Sequence, residues 1–364
     1  MTEVSWFSAL CDDDYEFLGV PNPALRSSWE HCRDIVDHSE RNGFDNVLLP
    51  SGYELGIDAT AFAAAVATHT TRINLLLAVR CAELWPPQLA RQLATIDQMS
   101  MGRLTVNIIS SDLPGAPLAS GPRYRRTTEV IQILRHLLNA EALEFSGDFY
   151  QLQMNPPTVR TVSGRCPLFY FGGLSEDARE CAAAGADVFL MWPDTMAGVA
   201  LIMADMRARA AAHQRTLRFG YRVHVIVRET QAQARTAADR LMSKLDVATG
   251  DTIRAKSLDS QSVGVRRQAE LRQSAVGDDG YVEDNLWTGI GQARSGCGAA
   301  IVGDPDQVLD KLRAYQALGM DAFILSGYPH VQECDLFARY VLPHLDHAPL
   351  HVRPHLLEPI HGGH

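Results

Sequence analysis

The sequence lacks long apolar runs and lacks an excess of positive charge. No stretch of its 364 residues approaches the roughly 20 apolar residues that a membrane-spanning helix needs. The net charge of −10 argues against a nucleic-acid-binding surface. Residues 1–6 show neither the basic nor the apolar segment of a signal peptide. We therefore expect a cytoplasmic protein whose partners include neither membrane nor nucleic acid.

Several motifs of metal and nucleotide sites are also missing. The seven cysteines are odd in number and no two have C-x-x-C spacing, so we expect free thiols and no zinc site. There is no G-x-S-x-G or H-E-x-x-H motif. The segment Gly289-Ile290-Gly291 lacks the third glycine and the strand–helix context of a dinucleotide fingerprint.

Short apolar segments alternate with helical patterns along most of the chain. Such segments, apolar on both faces, are typical of buried parallel strands, and eight of them with intervening helices predict a (β/α)8 barrel. An open doubly wound sheet is the alternative. We assign residues 1–347 to the barrel and 348–364 to an extended tail. The predicted strands are residues 4–9, 46–49, 73–79, 104–109, 168–171, 188–191, 218–227 and 322–325.

Two regions depart from this alternation. Residues 246–298 are polar and too long for an ordinary loop, and such segments are functional or disordered. We expect a mobile insertion there, before the last strand. Residues 145–152 alternate weakly and predict a small hairpin outside the main sheet.

The seventh predicted strand carries basic side chains on one face. Arg222 and His224 share a face, whereas Tyr221 and Val223 lie on the opposite one. Because the apolar face should meet the outer helices, Arg222 and His224 should point into the barrel. A buried guanidinium is costly unless it is paired. It therefore indicates either a structural ion pair or a site for an anionic substrate or cofactor group.

Three loops at predicted strand ends carry further candidates. Tyr328 and His330 follow the last strand, either as functional groups or as parts of an ordinary turn. Gly172-Gly173-Leu174-Ser175 opens a helix and suits a phosphate, although Ser175 alone would be an ordinary helix cap. The acidic triplet Asp12-Asp13-Asp14 could bind a metal, but a solvated loop or a set of acceptors for sugar hydroxyls is the favoured interpretation.

With these residues identified, the chain resembles the bacterial-luciferase-like flavin monooxygenases, and within them the FMNH2-dependent alkanesulfonate monooxygenases. The likeness covers about residues 6–345. It rests on six segments: ARQLATID (90–97), MGRLTVN (101–107), YFGG (170–173), residues 218–230, NLWTGIG (285–291) and LSGYPH (325–330).

The resemblance implies roles for individual residues. Asn107 and Tyr124 would lie near the flavin, and Gly172, Gly173 and Ser175 would bind its phosphate. The sulfonate pocket would be lined by Trp192, Arg222, His224, Tyr328 and His330, with Arg294 closing over it from the insertion. We expect Arg294, His224, Tyr328 and His330 to be catalytic.

The resemblance also implies a reaction and partners. Reduced FMN from a separate NAD(P)H-dependent reductase, together with O2, would cleave the C–S bond of a sulfonate, releasing sulfite and an aldehyde. The fold would form a homodimer or homotetramer. The alternatives are a monooxygenase for simple alkanesulfonates, a deazaflavin-dependent dehydrogenase on the same barrel, and a non-catalytic flavin-binding protein.

Departures from the alkanesulfonate pattern surround the expected pocket mouth. Cys11 stands where the family has a histidine, residues 53–55 replace a cysteine region, and the loop 110–122 is shorter. We therefore expect a substrate other than a simple linear alkanesulfonate. The segment that begins at Cys11 is similar to that of monooxygenases acting on the sulfosugar sulfoquinovose, whose product would be 6-dehydroglucose.

Overall fold

The computed structural model describes residues 1–111, 113, 115–255, 262–275, 279–294 and 296–352. Its helices, which alternate with strands, are α1 (Trp29–Arg41), α2 (Ala59–His69), α3 (Pro86–Met99), α4 (Ser120–Leu138), α5 (Glu176–Gly185), α6 (Met196–Ala212), α7 (Gln231–Met242), α8 (Val247–Ala255), α9 (Val263–Gln273), α10 (Pro305–Ala317) and α11 (His330–Tyr340). Capping boxes at Thr230–Gln233 and Asp304–Gln307 fix the starts of α7 and α10.

The predicted closed barrel is confirmed. Its strands are β1 (Glu3–Phe7), β2 (Asn46–Leu49), β3 (Asn74–Arg80), β4 (Leu104–Ile109), β7 (Phe169–Gly172), β8 (Val188–Met191), β9 (Arg218–Val227) and β13 (Ala322–Ser326). They pair in parallel in that order, and β13 pairs with β1 to close the ring. The expected hairpin also forms, from β5 (Leu143–Ser146) and β6 (Gln151–Met154), outside the barrel. The open sheet is therefore excluded.

The two faces of β9 separate as the alternation predicts. Tyr221 and Val223 belong to the large apolar core between strands and helices. Arg222 instead lies over the ring of Phe7, a residue of the cluster inside the barrel, with its Cζ 4.3 Å from the ring centroid. The basic face therefore points inward, as predicted.

The insertion is more ordered than its composition suggests. Besides α8 and α9, its described parts contain β10 (Tyr281–Glu283), β11 (Leu286–Trp287) and a 3-10 helix, Gly289–Gln292. Just after it, β12 (Ala300–Gly303) pairs in parallel with the last four residues of β9, and β11 and β10 extend this edge. The long strand β9 thus holds both the barrel and the insertion. Its mobility stays a prediction.

The beginning of the tail closes the N-terminal end of the barrel. The Leu350 N–H donates to Glu3 Oε2 at 3.0 Å, and Asn74 Nδ2 donates to the His351 carbonyl at 2.9 Å. Leu350 also packs on the apolar cluster inside the barrel. As far as residue 352, the tail therefore packs against the N-terminal end of the barrel. Residues 353–364 lie outside the described part of the chain.

Two expectations from composition can be compared with the described residues. All seven cysteines are free thiols, as predicted. Within the described ranges, no helix has the length and apolarity that crossing a bilayer requires.

Candidate active site

A cavity of about 1110 Å³ opens at the C-terminal ends of the barrel strands. It is lined by the loops after β1, β2 and β8 and by the insertion. This end of such a barrel is the one where ligands bind. Five of the predicted site residues line this cavity: Cys11, Asn107, Trp192, Arg222 and Arg294. His224, Tyr328 and His330 are not among its lining residues and are fully or almost fully buried.

Arg222 is a buried cation without a carboxylate partner among the described residues. It is 6% exposed, and within the described chain its side chain makes one hydrogen bond, from Nη1 to the Val223 carbonyl at 3.3 Å. Burial lowers the pKa of this guanidinium. No structural ion pair of Arg222 occurs within the described ranges, and an anion is the group that would satisfy this guanidinium.

A second cation enters from the insertion. Arg294 Nη2 lies 2.9 Å from Asp13 Oδ2. Although burial opposes its charge, the neighbouring Tyr328 and Asp13 raise the pKa of Arg294. The insertion is thus joined to the loop after β1 by an ion pair at the cavity wall.

The Ser326–His330 turn brings its two aromatic groups against His224. Ring centroids are 5.0 Å apart for His224 and Tyr328, and 5.3 Å for Tyr328 and His330. Burial, followed by the charges of Arg222 and Arg294, lowers the pKa of His224 well below its usual value. Burial likewise lowers the pKa of His330. Burial therefore favours the neutral form of both imidazoles.

The hydrogen bonds of the two histidines constrain their tautomers. His330 Nδ1 lies 2.7 Å from the Gly327 carbonyl, which can only accept, so Nδ1 carries the proton and neutral Nε2 is an acceptor. His224 Nδ1 lies 2.6 Å from Ser326 Oγ. If this hydroxyl donates, the proton of His224 is on Nε2. The expectation that His330 helps to hold a sulfonate therefore conflicts with its neutral tautomer, because a sulfonate also only accepts.

Four buried polar atoms around this turn have no hydrogen-bond partner in the described part of the chain. They are His224 Nε2, Tyr328 Oη, His330 Nε2 and Asp13 Oδ1. Buried polar atoms are satisfied in most of a folded protein, and exceptions mark places that need a specific explanation. Their concentration beside Arg222 and Arg294 indicates a site for a polar, anionic ligand.

Two residues of the acidic triplet Asp12-Asp13-Asp14 are more buried than its composition suggests. Asp13 and Asp14 are 3% and 4% exposed, so the solvated loop is wrong for these two residues, and the alternative role as acceptors for sugar hydroxyls stays a prediction. Asp14 binds His31 Nε2 at 2.8 Å and accepts the His330 N–H at 3.0 Å, which attaches the first loop to the last turn. No group of three or more metal-ligating side chains occurs among the described residues. Through Asp14 the triplet joins the first loop to the last turn, and the sequence signal for this role was its position in the loop after the first barrel strand.

Cys11 and Trp192 complete the mouth of the cavity. Burial raises the pKa of Cys11 to about 12, so its thiol stays protonated and lines the wall without acting as a nucleophile. The indole of Trp192 is covered by two glycines of the insertion. A Cβ at Gly264 or Gly296 would lie 2.9 or 3.1 Å from the Trp192 ring. These glycines let the insertion backbone approach the site closely.

The predicted phosphate-binding residues lie beside the cavity and do not line it. A Cβ at Gly172 would come 2.7 Å from the Leu190 carbonyl, and one at Gly173 would come 2.7 Å from Ala178 Cβ and 3.4 Å from Tyr124 Oη. Ser175 caps α5 by accepting the Ala178 N–H at 3.2 Å. The glycines, the helix N-terminus and Tyr124 therefore meet at one place outside the lining of the cavity that Asn107 lines, and their role in binding a phosphate stays a prediction.

Comparisons with known proteins agree with this arrangement. Residues 16–322 match the family described as luciferase-like monooxygenase. A relative from Novosphingobium aromaticivorans, named sulfoquinovose monooxygenase, is 67% identical over 357 residues, which cover 96% of this chain and 98% of the relative. One of the same name from Agrobacterium fabrum is 52% identical over 346 residues, covering 94% and 89%.

Solved structures share the fold at low identity. The riboflavin lyase RcaE, crystallised with modified FMN and riboflavin, superposes with a TM-score of 0.77 at 18% identity and covers 95% of this chain and 91% of its own. The chain belongs to the luciferase-like monooxygenase family, and it is an enzyme.

Proposed function

We propose that this enzyme is a two-component, FMNH2-dependent monooxygenase that cleaves the C–S bond of an organosulfonate, and that its substrate is sulfoquinovose. The products are sulfite and 6-dehydroglucose. The 67% and 52% identities to proteins named sulfoquinovose monooxygenase support the choice of substrate.

One structural observation carries the proposal, and it is Arg222. A sulfonate is an anion throughout the physiological pH range, and a guanidinium binds such an oxyanion through two parallel hydrogen bonds. Arg222 lies inside the cavity, buried, and no carboxylate of the described chain pairs with it. A sulfonate bound there would neutralise a charge that the fold itself leaves uncompensated.

The cofactor in this proposal is FMN, held with its phosphate at Gly172, Gly173, Ser175 and Tyr124 and with Asn107 beside its ring. When bound in the reduced form, FMN supplies the two electrons that let O2 deliver one oxygen atom to the carbon bearing sulfur and the other to water. The C–S bond breaks, sulfite leaves with its electron pair, and the carbon becomes an aldehyde. An NAD(P)H-dependent flavin reductase would supply the reduced cofactor.

The chain's own residues then hold and shield the substrate. Arg222 binds the sulfonate, and His224 donates to it from Nε2 in the tautomer that Ser326 supports. Arg294, held by Asp13, brings a second positive charge to the same cavity. Trp192, packed under the insertion glycines, covers the mouth, and excluding water strengthens each of these interactions.

The direct test is sulfite release from a panel of sulfonates. Purified enzyme, FMN and a generic flavin reductase with NADH are given sulfoquinovose, octanesulfonate or methanesulfonate in air. We expect sulfite from sulfoquinovose at the highest kcat/KM, and none in an anaerobic control. Oxygen-independent reduction of a deazaflavin by the enzyme would instead support the dehydrogenase alternative, and absence of turnover with every sulfonate would contradict the proposal.

A further inference from the structure

The two carboxylate oxygens of Asp13 have different surroundings. Asp13 lies in the loop after β1, lines the cavity and has a side chain only 4% exposed. Its Oδ2 holds Arg294 Nη2 at 2.9 Å. Its Oδ1 is buried and has no hydrogen-bond partner among the described residues. A structural anchor for Arg294 would need only the first oxygen.

The remaining oxygen restricts the chemistry of the ligand. A carboxylate oxygen in an ion pair can only accept hydrogen bonds, whereas every oxygen of a sulfonate is also an acceptor. Asp13 Oδ1 would therefore repel the sulfonate that the two arginines attract. The group that fits it is a donor elsewhere on the same ligand, and in a ligand without nitrogen that donor is a hydroxyl.

We propose that Asp13 is the specificity-determining residue of this cavity, and that its Oδ1 accepts a hydrogen bond from a substrate hydroxyl, so that the enzyme selects polyhydroxylated sulfonates over hydroxyl-free ones. This inference rests on the proposed function and deepens it. A hydroxyl-free sulfonate would bury Oδ1 without a partner. Sites that bind a substrate hydroxyl reject analogues lacking it far more strongly than apolar pockets reject a missing methylene.

The acidic loop also explains how this oxygen is held in place. Asp12 Oδ1 accepts the Ser27 N–H at 2.8 Å on the exposed side, and Asp14 is fixed by His31 and the His330 N–H on the buried side. Asp13 is therefore held between two anchored neighbours and oriented further by Arg294. A substrate hydroxyl meets an acceptor that needs little reorganisation before binding.

The test compares two ligands with the same six-membered ring size, sulfoquinovose and cyclohexylmethanesulfonate. The variant Asp13→Asn can keep its amide oxygen on Arg294 while its NH2 replaces the free acceptor. Asp13→Leu removes both functions. Glu16→Gln is the matched control, because Glu16 lies in the same loop but has a side chain 46% exposed, pairs with Arg240 and does not line the cavity. Dissociation constants are measured by calorimetry on the flavin-free chain, and kcat/KM is measured by sulfite release. Thermal unfolding verifies that each variant is folded.

We expect the wild type to prefer sulfoquinovose by about 100-fold or more, and Asp13→Asn to reduce that preference at least about tenfold. Glu16→Gln should leave it unchanged. An equal loss for both ligands in Asp13→Asn would overturn the inference and leave Asp13 as an anchor for Arg294. Wild-type binding of sulfoquinovose no tighter than of the analogue would also overturn it. A wild type that binds sulfoquinovose preferentially but releases no sulfite would contradict the proposed function while supporting the inference.

Discussion

The two ends of the barrel treat buried polar groups in opposite ways. At the N-terminal end, the fully buried Glu3 is surrounded by donors. Its Oε1 accepts from Tyr170 Oη at 2.8 Å and from Asn46 Nδ2 at 3.3 Å, and its Oε2 accepts the Leu350 N–H at 3.0 Å. At the C-terminal end, Asp13 is equally buried, but one of its oxygens has no partner in the described chain.

The buried arginines repeat the contrast. Arg103, just before β4, donates to the carbonyls of Ser100, Ile73, Ala67 and Thr70 at 2.6 to 2.8 Å. Arg222 makes a single 3.3 Å bond to a neighbouring carbonyl. Hydrogen bonds that saturate a buried charge contribute to stability, whereas an unsaturated buried charge is a cost that the fold carries for a ligand.

The largest effect on activity is expected from replacing the buried Arg222. Arg222→Leu should lower kcat/KM for sulfite release by about 100-fold, because charged hydrogen bonds to the sulfonate worth about 3 kcal/mol disappear. Its free energy of unfolding should hold or rise, since an uncompensated buried charge is removed. Steady-state sulfite assays and urea unfolding measure the two quantities.

The matched variant is Arg103→Leu. It strands several buried carbonyls, so we expect a loss of roughly 3–5 kcal/mol in unfolding free energy, while the kcat/KM of the folded fraction stays near that of the wild type. The comparison fails if Arg222→Leu proves as destabilising as Arg103→Leu, because Arg222 would then be structural.

The next effect is expected at the Glu3 cluster. Tyr170→Phe removes one donor to Glu3 inside the barrel and should reduce the unfolding free energy by about 1–3 kcal/mol, with kcat/KM unchanged. Chemical denaturation with circular dichroism measures the stability. Tyr328→Phe is the counterpart at the other end, where the hydroxyl has no partner in the described chain, and it should leave stability nearly unaltered.

Much of this barrel could be predicted from the sequence, because buried parallel strands are short, apolar and regularly spaced. All eight predicted strands overlap the eight barrel strands, and the inward face of β9 followed from simple alternation. The insertion could not be predicted in this way. Its strands β10 and β11 have only three and two residues. β10 pairs with β11 and β11 pairs with β12, and no local pattern encodes these pairings.

The residues of the site also differ in whether the sequence predicts them. Arg222 could be found because a cation inside a barrel strand is anomalous by itself. The burial of Asp13 and Asp14 could not, because it depends on Arg294 and His31, which are distant in sequence and meet them only in the folded chain. The protonation of His330 likewise depends on the Gly327 carbonyl, a backbone contact without a sequence signature.

A smaller effect on activity is expected at Ser326, whose hydroxyl contacts His224. Ser326→Ala removes the hydroxyl at His224 Nδ1 and frees the imidazole to take either tautomer. We expect kcat/KM for sulfite release to fall about tenfold, chiefly through a higher KM because His224 donates to the bound sulfonate, and the unfolding free energy to fall by no more than about 1.5 kcal/mol. Ser326→Thr, which keeps a hydroxyl, is the control and should recover most of the kcat/KM. Equal kcat/KM values in Ser326→Ala and the wild type would contradict a positioning role for Ser326.

The smallest expected effect is on pH dependence. Burial, then Arg222, Arg294 and His330, lowers the pKa of His224 below its ordinary value of 6.5. The folded state therefore binds fewer protons at His224 than the unfolded state, so its contribution to stability is complete above pH 6.5 and is lost as the pH falls towards the folded pKa. The acid limb of kcat for sulfite release should lie below pH 6.5 for the same reason. In Arg222→Leu, one positive neighbour is gone but burial remains, so the limb should move up by less than about one pH unit and stay below 6.5. A limb that does not move in this variant would show that Arg222 has no electrostatic influence on the titrating group.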